Sequence, residues 1–120
     1  MPRTPSRPDC SALGRTVTVV IDRPLGSAHP EHPELIYPVN YGYIPGTLAG
    51  DGEAQDAYLL GVSEPVAQFT GRVAAILHRR DDVEDKWVVL PPDMPLPSDG
   101  EILSQVWFQE RWFDTVLLRD

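Results

Sequence analysis

Residues 71–90 read Gly71-Arg-Val-Ala-Ala-Ile-Leu77, then a charged stretch from Arg79 to Asp85, then Lys86-Trp-Val-Val-Leu90. Two apolar runs flank Arg79-Arg80-Asp81-Asp82-Val83-Glu84-Asp85, a pattern that predicts two strands joined by a charged hairpin. Upstream, Asp56 to Val62 (Asp-Ala-Tyr-Leu-Leu-Gly-Val) reads as a buried strand. Arg15-Thr-Val-Thr-Val-Val-Ile-Asp22 reads as another, ending at Arg23-Pro24 because proline removes a ladder donor. Leu25 to Pro38 carries Gly26, Pro30, Pro33 and Pro38 and reads as a loop. Val39 to Ile44 is a short extended piece stopped by Pro45-Gly46.

Downstream, Pro91 to Pro97 holds four prolines and separates the strands from a helix. Ser98-Asp99-Gly100-Glu101 has the capping-box form, Ser followed by Glu three residues on. Ile102, Leu103, Val106, Trp107 and Phe113 then recur at helical spacing, and Thr115 to Leu118 returns as a short strand. Strands come first and the helix last, with no helical pattern between strands. That order predicts a mainly β (α+β) fold, a small barrel or twisted sheet with a C-terminal helix packed on it, rather than parallel βαβ units.

A length of 120 residues predicts one domain, over 12–120, with residues 1–11 as a flexible N-terminal tail holding Pro2, Pro5 and Pro8. The formal net charge is −8, which argues against nucleic acid as a partner, since phosphate backbones are bound by Lys and Arg. No apolar run approaches the ~18–20 residues a membrane helix needs. Met1 to Asp9 has no apolar signal segment. The single cysteine, Cys10, cannot form an intramolecular disulfide, and a cytoplasmic location is expected.

The acids are unevenly spread. Asp51-Gly-Glu53-Ala-Gln-Asp56 and Asp81-Asp82-Val-Glu84-Asp85 hold seven of the 18 Asp and Glu residues. Each cluster reads either as a solvated loop or as a cation site. Like charges this close raise one another's pKa unless a cation joins them. Hard carboxylate oxygens suit Mg²⁺, Mn²⁺ or Ca²⁺, although the spacing is not that of an EF-hand loop. Just upstream, Tyr37-Pro-Val-Asn-Tyr-Gly-Tyr43 supplies phenols either for core packing or for a phosphate or metal-bound ligand.

The stretch Tyr37-Pro-Val-Asn-Tyr-Gly-Tyr-Ile-Pro-Gly-Thr-Leu-Ala-Gly-Asp-Gly-Glu-Ala-Gln-Asp56 resembles the core of the soluble family I inorganic pyrophosphatases. That family shows Tyr-Pro-x-Asn-Tyr-Gly-Phe/Tyr-Ile, then Thr-Leu, then Asp-Gly-Asp-Pro-x-Asp. The similarity is strong over 37–62 and weaker over most of 15–113. It implies a twisted five-stranded barrel of OB type. It also implies hydrolysis of inorganic pyrophosphate to two phosphates, Mg²⁺ (with Mn²⁺ as the alternative) as cofactor, and a homo-oligomer with no nucleic-acid or membrane partner.

Residue by residue, the resemblance implies that Asp51 and Asp56 bind the activating metals and that Glu53 orients or deprotonates the attacking water, with Asp56 sharing that catalytic centre. Glu84 matches a further metal-binding position, with Asp85 as its neighbour in register. Asp81 matches another, with Asp82 as the alternative. Tyr41 and Lys86 match residues that contact phosphate. Arg111 and Trp112 stand where the family carries a Tyr-Lys pair directed at phosphate, and Arg111 is expected to bind substrate.

The chain also departs from the pattern. The loop from Leu25 to Ile36 lacks the lysine and arginine the family uses there, leaving His29 and His32 as candidate replacements. Glu53 is one methylene longer than the family's aspartate, and Ala54 replaces a proline. Two alternatives to pyrophosphate hydrolysis follow. One is a degenerate relative that binds metal or a phosphorylated ligand, or that hydrolyses another phosphoanhydride. The other is an interaction domain whose surface is formed by Trp107, Trp112 and Phe113.

Overall fold

The computed structural model describes residues 10–49, 52–82 and 84–119. Seven elements follow one another: β1 (Thr16–Arg23), β2 (Asn40–Ile44), β3 (Gln55–Leu59), β4 (Gln68–Arg79), β5 (Asp85–Leu90), α1 (Asp99–Glu110) and β6 (Thr115–Leu118). The strands lie in the order β1-β2-β3-β5-β4-β6, and β1 also pairs with β4. That extra pairing closes β1, β2, β3, β5 and β4 into a five-stranded barrel and leaves β6 on the flank of β4. The mainly β barrel with one C-terminal helix is therefore the fold.

β4 makes closure possible. At 12 residues it is the longest strand, and it serves three neighbours in turn. Residues 68–72 pair with β1, 72–78 with β5 and 76–79 with β6. A register shift lies between Val73 and Ala75 on the β5 side. One extra residue in a strand breaks the two-residue alternation of faces. Accordingly Ala74 and Ala75 both join the cluster under the helix, while Val73 and Ile76 face the other cluster. In β3 the alternation is regular: Ala57 and Leu59 face one cluster, and Tyr58 faces the other with Leu60 beyond it.

Gly42 lets β1 and β2 approach closely. A Cβ there would run into the backbone carbonyl of Val20, so only glycine fits.

Helix α1 starts as its capping box predicts: Ser98 Oγ accepts the Glu101 amide at 3.2 Å. Ile102 and Val106 are buried against Tyr37, Tyr58 and Leu90 of the barrel cluster. Two expectations are corrected. Phe113, expected on the helix, lies beyond its end in a turn whose amide bonds the Glu110 carbonyl. Trp107 does not face the core; it is 56% exposed. No parallel βαβ unit forms, as the order of elements predicts: β3 and β5 run parallel, but β4 and not a helix makes the crossover between them. At the N-terminus the expected tail falls mostly on residues 1–9, outside the described residues. Cys10 to Arg15 forms turns that bury Ala12.

Candidate phosphate-binding cleft

Asp56, on β3, is the centre of the site. Its Oδ2 accepts Lys86 Nζ from β5 at 2.6 Å and the Tyr41 hydroxyl from β2 at 2.9 Å. The sheet order places these strands side by side, β2-β3-β5, so three separated sequence positions meet. The Lys86 side chain is only 4% exposed, and its ammonium also lies 3.3 Å from each Glu84 oxygen. One ammonium thus joins two carboxylates. Burial, and then the charge of Asp56, push the Tyr41 phenol far above its ordinary pKa, so it remains a hydrogen-bond donor. Gln55 steadies the frame: its amide donates to the Asp56 and Asp85 carbonyls, tying β3 to the start of β5.

Behind this group lies a buried network unforeseen from the sequence. Arg79, the last residue of β4, donates from Nε and Nη2 to the two oxygens of Glu110 at 3.0 and 2.6 Å. Glu110, the last residue of α1, is fully buried and also accepts the Tyr58 hydroxyl at 2.6 Å and the Thr115 hydroxyl at 2.9 Å. Burial alone would raise its pKa. The hydrogen bonds from Arg79 and Tyr58 outweigh that and hold the carboxyl below its ordinary value. Phe113 completes the setting, its ring 3.6 Å from the Arg79 guanidinium carbon.

Arg23, at the end of β1, donates to the Tyr37 hydroxyl at 2.5 Å. The Tyr37 hydroxyl donates to Gln109 Oε1, and Gln109 Nε2 donates to the Tyr58 hydroxyl at 2.7 Å. A single chain of hydrogen bonds therefore runs from Arg23 through Tyr37, Gln109 and Tyr58 to Glu110 and Arg79.

A cleft of about 680 Å³ opens over these groups. Arg23, Arg79, Lys86 and Arg111 line it, against the acids Glu34 and Asp56. His29 and His32 stand on its wall. Burial, followed by the nearby Arg23 charge, holds the His29 pKa below its ordinary value.

Of the residues expected to act together, Asp56, Tyr41, Lys86 and Glu84 converge. Arg111 lines the same cleft, with its guanidinium over the Trp112 ring at 4.7 Å. Glu53 is exposed and does not line the cleft. Asp81 is exposed and accepts the Asp114 amide at 3.0 Å. Asp85 pairs with His78 at 2.8 Å, and Asp82 lies 3.4 Å from Arg79. Asp51 lies outside the described residues. Among the described residues, no three His, Cys, Asp or Glu side chains converge as a metal-binding group. The sequence reading missed Arg23, Arg79, Gln109 and Glu110. Their one local signal is position: each arginine ends a strand, and the other two end the helix.

The family model described as inorganic pyrophosphatase matches residues 17–104. The inorganic pyrophosphatase of Aquifex pyrophilus is 33% identical over 72% of this chain and 48% of its own length. That of Methanosarcina acetivorans is 38% identical over 60% of this chain and 45% of its own. The chain spans about half the length of the curated relatives it matches. Among solved structures, an inorganic pyrophosphatase from Neisseria gonorrhoeae superposes with a TM-score of 0.61 at 26% identity, covering 79% of this chain and 71% of that one. The fold is also shared with the Ehrlichia chaffeensis enzyme, at TM-score 0.65, 20% identity and 92% coverage of both chains. With a family model matched over most of its length and a relative 33% identical over 72% of it, this chain is a member of the inorganic pyrophosphatase family.

Proposed function

We propose that the cleft binds inorganic pyrophosphate and hydrolyses it to two phosphates with a divalent cation, Mg²⁺ by default and Mn²⁺ as the alternative. The observation that carries this reading is the meeting of Asp56, Glu84, Lys86 and Tyr41 under a cleft lined by three arginines. The donor chemistry fits a divalent ion: two hard carboxylates already share one cation, the Lys86 ammonium. Asp56 and Glu84 would hold the metal, together with Asp51 on the reading from the family motif. Asp81 stays in the proposal as a further ligand only if it gives up the Asp114 amide. A bound divalent ion lowers the pKa of water and offsets charge on the phosphate oxygens.

The chain's own residues do the rest. Lys86 and Arg111 bind phosphate oxygens, and Arg111 can do so through two parallel N–H donors. Tyr41 donates either to Asp56 or to a ligand oxygen. On the reading from the family motif, Glu53 and Asp56 orient the attacking water. Attack in line on phosphorus releases the second phosphate, whose developing charge is met by the fixed cations. Phosphate release from pyrophosphate, measured with and without Mg²⁺, tests the reading. Wild type should turn over only with the metal, and Asp56→Asn should lose at least about 100-fold in kcat. Metal-replete wild type that releases no phosphate would end the proposal.

A second reading is binding without turnover. It is supported by the same ammonium, which compensates the charge of Asp56 and Glu84 within the protein. Tight calorimetric binding of pyrophosphate with no phosphate release would favour it.

Association with further copies of this chain and a cytoplasmic setting belong to the same proposal. Trp107 and Trp112, 56% and 68% exposed near the end of α1, support a contact between copies. Light scattering of Trp107→Ser against wild type tests it. Among the described residues no helix is long and apolar enough to cross a membrane.

A further inference from the structure

The loop from Leu25 to Ile36 brings histidines to the cleft wall but contains no lysine or arginine. Cationic groups reach the cleft from strand ends instead. Arg23 arrives from the end of β1 and Arg79 from the end of β4, and both line the same cavity. They are anchored at opposite ends of one hydrogen-bond chain, Arg23–Tyr37–Gln109–Tyr58–Glu110–Arg79.

We infer that Arg23 and Arg79 form a fixed guanidinium pair that binds the phosphate groups of a phosphoanhydride and gives the cleft affinity for it without a divalent cation. The inference rests on the reading that this cleft takes a phosphoanhydride.

Anchoring is what makes the pair effective. A guanidinium carries five N–H donors in a planar fork that matches phosphate oxygens. Arg79 commits Nε and Nη2 to Glu110, and Phe113 covers its face. Its Nη1 donates a long hydrogen bond to Asp82 at 3.4 Å and lies 3.7 Å from Glu84, at the acidic edge of the site. Arg23 lies 5.7 Å from the ring centres of both Tyr37 and Tyr41 and commits Nη1 to Tyr37. Both side chains are therefore held before any ligand arrives, so little rotamer entropy is lost on binding. Glu110, Asp82 and Glu84 together offset the charge of Arg79, which serves as a directed donor once the ligand displaces the long contacts to Asp82 and Glu84. Arg23 bonds a phenol and lies beside two tyrosine rings, with the neighbouring Asp22 as the nearby acid, and it supplies the more exposed positive charge of the two.

The experiment is titration calorimetry of the full chain, stripped of metal and kept in EDTA, with sodium pyrophosphate at low salt. Wild type should bind. Arg23→Gln should weaken binding about tenfold or more, the loss expected for one charged hydrogen bond. Arg23→Lys should recover part of it. Arg79→Lys should also bind more weakly, with its fold checked by circular dichroism; Arg23, being half-exposed, keeps the test valid if that variant does not fold.

Two results would overturn the inference: no binding in EDTA with binding restored by Mg²⁺, or Arg23→Gln binding as tightly as wild type. Phosphate release with Mg²⁺, measured on the same preparations, separates the two proposals. Turnover without metal-free binding overturns the guanidinium pair alone. Metal-free binding that needs Arg23, without turnover, supports the pair and overturns hydrolysis.

Discussion

Arg79 and Glu110 lie 31 residues apart in sequence and hold each other through two hydrogen bonds, at 3.0 and 2.6 Å, where β4 meets the end of α1. Each is at most 4% exposed at the side chain, so this is a buried ion pair. The remaining acceptor capacity of Glu110 is taken up by Tyr58 and Thr115. Such a pair is costly to break, because removing one partner leaves the other as an uncompensated buried charge.

Arg79→Met or Glu110→Met alone should lower unfolding stability by about 3–5 kcal/mol. The double variant should lose clearly less than the sum, since no charge is then stranded. Urea unfolding of the four proteins closes the cycle. Strict additivity would show that the two side chains do not interact.

Acid should destabilise the protein partly through Glu110. Its folded-state pKa is held below the ordinary 4.5. Folding therefore favours the ionised form. This contribution is complete above about 4.5 and fades as pH falls through the lower folded value. Denaturation midpoints measured from pH 7 to pH 3 should fall more steeply for wild type than for Glu110→Gln. Parallel curves would assign the acid limb to other carboxylates.

Tyr41→Phe should fold, with a stability loss of about 1–2 kcal/mol for one hydrogen bond to a carboxylate. The hydroxyl reaches Asp56 at 2.9 Å, so its removal leaves Lys86 as the partner of that oxygen. Pyrophosphate turnover with Mg²⁺ should drop about tenfold or more. Turnover equal to that of wild type would remove Tyr41 from the site.

Gly42→Ala should be far more damaging than its size suggests. The added Cβ meets the Val20 carbonyl across the β1–β2 pair. Relief requires the strands to separate beside Tyr41, at a cost of about 1–3 kcal/mol or more. Thermal unfolding measures it, and a midpoint unchanged from wild type would contradict the close approach.

Ser98→Ala should cost about 1 kcal/mol by removing the cap of α1. Because α1 carries Glu110 and Gln109, looser capping should also show as faster amide exchange in the helix.

Local rules were enough for the elements. A β-branched run marks β1, apolar runs mark β4 and β5, Pro24 and Pro91 mark the ends of β1 and β5, and Ser98 with Glu101 marks the start of α1. Residues 37–56 carry the family motif, and with it Tyr41 and Asp56. These features are legible because each rests on neighbours a few residues apart. The helix was read too far, to Phe113, since apolar spacing alone does not register the chain turning after Glu110 to place that ring on Arg79.

The sequence by itself determined that the chain makes a small β-rich domain with one late helix, and that acids crowd two short stretches. Only the tertiary structure decided which of those acids meet. Closing the barrel sets β3 beside β5, so Asp56 and Glu84 share Lys86, while Asp81 turns to Asp114 and Asp85 to His78. It also decided that Arg23 and Arg79 belong to the cleft. Such groupings depend on strand order and on long-range burial, which bring together side chains that no local spacing relates. The physical reason lies in desolvation: a buried charge must find partners, and the partners available are set by the packing of elements distant in sequence.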